Sequence, residues 1–191
     1  MIMKTRTKLV AGIAVLVSVT LCSETALAGR KWSEKWRARV KKVFDTVATG
    51  SAPVATKSGG VSASRGIVEE LLALHNRERA RAGAEALSLD ERLCRAAQAH
   101  AQDMARNDRL DHTGSDGSNF WARIVKTGYD VTAGAENVAM GMNTSAEAVD
   151  CWMSSAGHRG NILNRKYRHA GFGFADSPNG DRYWCGVFGK E

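Results

Sequence analysis

After residue 65, apolar positions recur with helical spacing in several stretches. From Gly66 to Ala82, Ile67, Val68, Leu71, Leu72 and Leu74 share one side, and Arg77, Glu78, Arg79 and Arg81 form a charged tail. Gly83 follows where a left-handed stop belongs. Ser88-Leu89-Asp90-Glu91 has the form of a capping box and predicts a second helix carrying Leu93, Ala97, Ala101 and Met104 three or four residues apart. Ser118 is placed to cap a short helix over Asn119–Thr127, stopped by Gly128, and Thr144-Ser145-Ala146-Glu147 opens another through Val149, Trp152 and Met153. Apolar runs at 137–142, 169–175 and 182–188 read as strands, the last two joined through Ser177-Pro178-Asn179-Gly180 as a hairpin. A hairpin excludes an all-parallel sheet. The pattern predicts an α/β fold, a three-layer α-β-α sandwich around a small mixed, mainly antiparallel sheet.

The chain before residue 66 obeys other rules. Lys4, Arg6 and Lys8 precede an almost unbroken apolar run from Leu9 to Cys22, too short for a membrane span and suited to an export signal. Ala26-Leu27-Ala28 predicts cleavage after residue 28. Residues 29–48 place Trp32, Trp36, Val40, Val43 or Phe44, and Val47 on one side of a basic amphipathic helix. Such a segment suits attachment to an anionic membrane or envelope surface; a helix folded back on the domain fits the same pattern. Residues 49–65, rich in Ser, Ala and Gly, read as a flexible linker, which leaves 66–191 as one domain of ordinary size.

Composition changes this picture in one respect. With 43% hydrophobic residues and only 2 prolines, the chain is neither disordered nor proline-rich. Its net charge of +7 would suggest nucleic acid. Beyond the leader, however, the excess lies within residues 29–48, which carry seven basic residues against Glu34 and Asp45. The domain itself is balanced, no nucleic-acid signature follows, and an exported chain seldom meets nucleic acid. Nucleic acid is therefore not an expected partner.

Three stretches concentrate unusual polar residues: 110–117, around His112; 134–139, around Glu136; and 154–163, around Ser155 and His158. Two imidazoles and a carboxylate from separate segments match the ligand set of an open zinc site. The same groups suit general acid–base chemistry. Each also has a plainer role: a local hydrogen bond for His112, a turn for Glu136, a helix end for His158. His75 and His100 read as structural, His169 as exposed, Glu147 as the partner of the Thr144 cap, and Trp152 and Trp184 as core. Arg159 and Asn161 read as pinning the loop after His158.

Taken in order, these stretches resemble the CAP superfamily of cysteine-rich secretory proteins, venom antigens and plant pathogenesis-related proteins, in its bacterial secreted branch. The likeness rests on Leu74-His75-Asn76-Arg77-Glu78-Arg79, Leu93–Met104, His112-Thr113-Gly114-Ser115, Glu136-Asn137-Val138-Ala139, Trp152, Gly157-His158-Arg159-Gly160-Asn161-Ile162-Leu163, and Tyr183-Trp184-Cys185-Gly186-Val187-Phe188. It implies an α-β-α sandwich with a central cleft able to hold a divalent metal such as zinc. It places the cleft residues at His112, Glu136 and His158, with Ser155 where the family has a second glutamate. It also implies a Cys151–Cys185 disulfide, which would leave Cys94 as a free thiol after the leader takes Cys22 away.

These readings predict a secreted or periplasmic binding module, with a polar, lipid or cell-envelope ligand in the cleft and residues 29–48 at an anionic surface. The alternative is a metal-dependent peptidase or esterase using Glu136 and His158, or Ser155 as nucleophile. Against it stands the absence of both a G-x-S-x-G elbow and an H-E-x-x-H helix.

Overall fold

Every helix has one apolar side, and in the computed structural model, which describes residues 60–191, those sides close on the two faces of one sheet. The expected leader, the basic segment and most of the linker lie outside the described residues. In chain order the elements are α1 Gly60–Arg81, β1 Ser88–Leu89, α2 Glu91–Asn107, α3 Phe120–Lys126, β2 Ala133–Met140, α4 Ser145–Ser154, α5 Ala156–Leu163, β3 His169–Asp176 and β4 Arg182–Lys190. The sheet runs β1-β3-β4-β2. β1 and β3 are parallel; β3–β4 and β4–β2 are antiparallel. The sandwich and its mixed sheet are as expected.

Strand alternation divides the interior in two. On β4, Tyr183, Cys185 and Val187 pack with Leu93, Ala97 and Met104 of α2 and Ile124 of α3. Trp184 and Phe188 turn the other way, onto Leu71 of α1, Val149 and Trp152 of α4, and Ile162 of α5. Trp152 and Trp184 are therefore core residues, as read from the sequence. The same alternation overturns the expected disulfide. Cys185 lies under α2, whereas Cys151 sits beside Trp152 on α4, across the sheet. Cys94 and Cys185 are both buried free thiols.

Local boundaries differ where competing partners win. α1 begins at Gly60, inside the expected linker. Ser88 does not cap α2, because its N–H donates to Arg168 O in the β1–β3 ladder. Asp90 takes the cap instead, accepting from the N–H groups of Arg92 and Leu93 at 2.8 and 3.3 Å. Asn119, rather than Ser118, caps α3. The Thr144–Glu147 box forms in both directions, as expected. Residues 156–163, read as a loop or an element's end, form α5.

α2 lies on β3 with almost no clearance. A Cβ built on Gly171 would collide with the backbone of Leu93 and Cys94, and one on Gly173 with that of Gln98. Backbone cannot yield as a flexible side chain does. Gly171→Ala is expected to cost about 3 kcal/mol or more, read as a lower midpoint of urea unfolding; an unchanged midpoint would mean α2 rides higher than described.

Candidate functional site

Glu136 lies within β2, not in a turn. β2 is an outer strand of the sheet, and Glu136 stands opposite Val187 of β4, so its side chain faces α2 and α3. Asn137, one residue on, faces the α4–α5 layer. The expected cleft residues thus reach one sheet edge from opposite layers.

The first group is centred on the Glu136 carboxylate, whose side chain is 1% exposed. Its Oε1 accepts from His112 Nδ1 at 2.9 Å, and His100 Nε2 lies 3.8 Å away. Its Oε2 accepts from Arg123 at 2.8 Å and from the Cys185 thiol at 3.6 Å. Burial would raise the Glu136 pKa. The His112 hydrogen bond and the charges of His100 and Arg123 outweigh it and hold the group ionised, below the usual carboxylate range. Burial, followed by the charge of Glu136, pushes the Cys185 thiol well up, so it serves as a neutral donor.

Arg123 also fixes the loop that carries His112. It donates to His112 O at 2.9 Å and to Ser118 O at 2.7 Å. His100 Nε2 holds the same loop through Asp111 O at 2.8 Å. His112 is thereby pinned through Nδ1 and remains partly exposed.

The second group is held by α5. Asn137 donates to His158 O at 3.1 Å, and Asn161 donates to Asn137 Oδ1 at 2.8 Å. Fully buried Arg79, expected in a charged tail, instead donates to Ile162 O and Asn164 O at 2.7 and 2.9 Å and secures the far end of α5. His158 is buried, and its Nδ1 has no hydrogen-bond partner. Burial, with a smaller contribution from the charge of His112, lowers its pKa to about 4. The Ser155 hydroxyl is likewise buried without a partner.

The structure therefore brings His112 and Glu136 into contact and ties the backbone of His158 to the same strand through Asn137. The two halves are joined through the backbone of β2, where Asn161 donates to Glu136 O at 3.4 Å. As a metal site the expected trio does not fit: both Glu136 oxygens are already committed to donors, one of them a guanidinium. Among the described residues, no group of three or more His, Cys, Asp and Glu side chains is placed to hold a metal ion.

Sequence reasoning missed Arg123, His100 and Cys185 as parts of the site. One signal did point there. An acid inside the apolar run of β2 needs a buried cation, although spacing does not say which. His169, expected to be exposed, is half-buried and shares a 2.8 Å hydrogen bond with the Tyr129 hydroxyl. Arg159 and Asn161 do brace this region, Arg159 by donating to Met153 O at 3.1 Å.

Two expectations follow. Arg123→Met leaves Glu136 buried without its cation and should cost about 3–5 kcal/mol, measured by urea unfolding; a loss under about 1 kcal/mol would show that the ion pair is dispensable. Acidification should also destabilise the domain. His75, lowered to about 4 chiefly by burial, and His158 both bind protons less readily folded than unfolded. Between their ordinary pKa of 6.5 and about 4 the unfolded chain holds the extra protons, so stability is full above that window and lost within it. The unfolding midpoint should fall from about pH 7 to about pH 5; a flat profile would mean these rings are not buried as neutral groups.

Comparison with known proteins agrees with the fold. Bacillus subtilis YkwD is 33% identical over 155 residues, which cover 81% of this chain and 60% of YkwD. An extracellular protein containing an SCP domain from Bacillus anthracis matches with a TM-score of 0.65 at 23% identity, over 74% of this chain and 45% of that one. An outer surface protein of Borrelia burgdorferi matches with a TM-score of 0.59 at 22% identity, over 64% of this chain and 91% of its own. At such identities the structural matches speak for the fold alone, and the chain spans well under the full length of YkwD and of the Bacillus anthracis protein. The profile of the cysteine-rich secretory protein family, CAP, matches residues 72–188, and the chain belongs to that family.

Proposed function

We propose that this chain is a non-enzymatic binding module that works outside the cytoplasm and takes a polar small ligand at the edge cleft between His112 and His158. The observation that carries this reading is the Glu136–His112 hydrogen bond of 2.9 Å. A carboxylate on Nδ1 fixes the ring's orientation and makes Nδ1 the donor, which leaves Nε2 as an acceptor for a ligand O–H or N–H. Glu136 acts through His112 rather than on the ligand. His158, neutral at ordinary pH, forms the opposite wall.

An extracellular setting is supported by the descriptions of the Bacillus anthracis and Borrelia proteins as extracellular and outer surface. Among the described residues no helix is long and apolar enough to cross a membrane. Residues 29–48 would hold the module at an anionic envelope surface by their cations and tryptophans.

The hydrolase reading finds less support. Catalysis by Ser155 needs a base hydrogen-bonded to its hydroxyl and a third group orienting that base. Here the hydroxyl has no partner and neither does His158 Nδ1.

Native mass spectrometry of the exported protein, equilibrated with a small-molecule extract of the cell envelope, tests the proposal. A bound mass should appear on the parent and vanish in both His112→Ala and His158→Ala. Peptide or ester turnover lost in those two variants would replace this reading with the hydrolase. A zinc-dependent rise in melting temperature, lost in His158→Ala, would return a metal to the cleft.

A further inference from the structure

The first turn of α5 is unusual in what it lacks. The leading N–H groups of a helix have no acceptors within it and look to a capping side chain or a negative charge. α5 spans Ala156–Leu163 with Ser155 at the cap position. The Ser155 side chain makes no capping bond, and the first turn contains no acidic residue. α4 ends immediately before, yet its final carbonyls are already engaged. Met153 O accepts from Arg159, Cys151 O from the Ser154 hydroxyl and Trp152 O from the Ser155 N–H.

A second, independent feature lies at the same place. Two side-chain polar atoms there are buried without any hydrogen-bond partner, Ser155 Oγ and His158 Nδ1, and His158 is only 7% exposed. His158 occupies the third position of the helix. Side chains on a helix lean towards its N-terminus, so the ring is carried back over the first turn. A buried donor with no partner is unfavourable, and two of them in the first turn of a helix that lacks a cap form a set that one acceptor can satisfy. Ala156 and Gly157 are exposed, which leaves that acceptor a way in.

We infer that the N-terminus of α5, with the Ser155 hydroxyl and the His158 ring, binds the carboxylate of a small ligand in the edge cleft. This rests on the cleft reading above and deepens it by naming the group that is recognised. Electrostatics favour a monoanion. Arg123 is paired with Glu136, and Arg159 is turned back onto Met153 O, which leaves the helix terminus, worth about half an elementary charge. A doubly charged phosphate would carry more charge into the site than it can balance. The ligand would then bridge the edge, its carboxylate on α5 and a hydroxyl or amine on His112.

Acetate is the probe. The whole chain, labelled with nitrogen-15, is titrated with sodium acetate against sodium chloride at equal ionic strength, and in parallel with inorganic phosphate. Acetate should shift the amides of Ala156, Gly157 and His158 saturably, and phosphate should bind more weakly. Ser155→Ala should weaken acetate binding about tenfold, as expected for losing one hydrogen bond to a charged group. Ser155→Glu supplies a tethered carboxylate, so it should abolish the acetate response and raise the melting temperature. The assignment is overturned if acetate leaves these amides unmoved, if Ser155→Glu still responds, or if phosphate binds more tightly than acetate. A failure here, with the envelope ligand still lost in His112→Ala and His158→Ala, removes only the carboxylate assignment; failure of both experiments removes the cleft itself.

Discussion

A buried carboxylate sets the terms for half of this domain. Glu136 is out of water, and an isolated ion there would be costly enough to neutralise itself. It stays charged because donors reach it from the His112 loop, α3 through Arg123 and β4 through Cys185, with His100 of α2 close by at 3.8 Å. Each donor needs its backbone held in place, so satisfying one charge fixes the relative positions of a loop, two helices and two strands. The loop at 111–118 has little apolar surface of its own. Its conformation is set from below, by Arg123 and His100 holding its carbonyls.

The α5 side of the proposed cleft is built without a buried carboxylate. α5 is held by amide bonds, Asn161 to Asn137 and Asn137 to the His158 carbonyl, and by buried Arg79 at its far end. Here an uncharged imidazole is the stable form. The proposed cleft would therefore be asymmetric. On one side a carboxylate with both oxygens bonded holds one oriented ring; on the other Ser155 Oγ and His158 Nδ1 lie buried without partners.

Much of the layering was legible in the sequence because it follows from periodicity. The apolar spacing in α1 and α2, the Thr144–Glu147 box and the 177–180 turn each depend on local residues, and they form. Failures came where a distant partner overrode a local one. Ser88 has every local reason to cap α2, but its N–H pairs with Arg168 O, and a two-residue parallel strand leaves almost no pattern to find. α5 was hidden because Gly157 and Gly160 weaken a helix that tertiary bonds from Arg79 and Asn137 then support. The Cys151–Cys185 pairing came from a likeness, and the sheet lying between the two residues decides against it.

The candidate site shows the same division. His112, Glu136 and His158 could be singled out because polar residues are conspicuous beside apolar runs. Their roles could not, because a role depends on what each atom already touches. From the sequence alone Glu136 is a potential ligand. In the fold Arg123 occupies one oxygen and His112 the other, and the residue becomes the fixed charge that aims its neighbour. Arg123 itself was invisible, one arginine among many in a chain with 27 lysines and arginines. Ser155 and His158 are the converse case. Their significance lies in bonds they do not make, and only coordinates can reveal a missing bond.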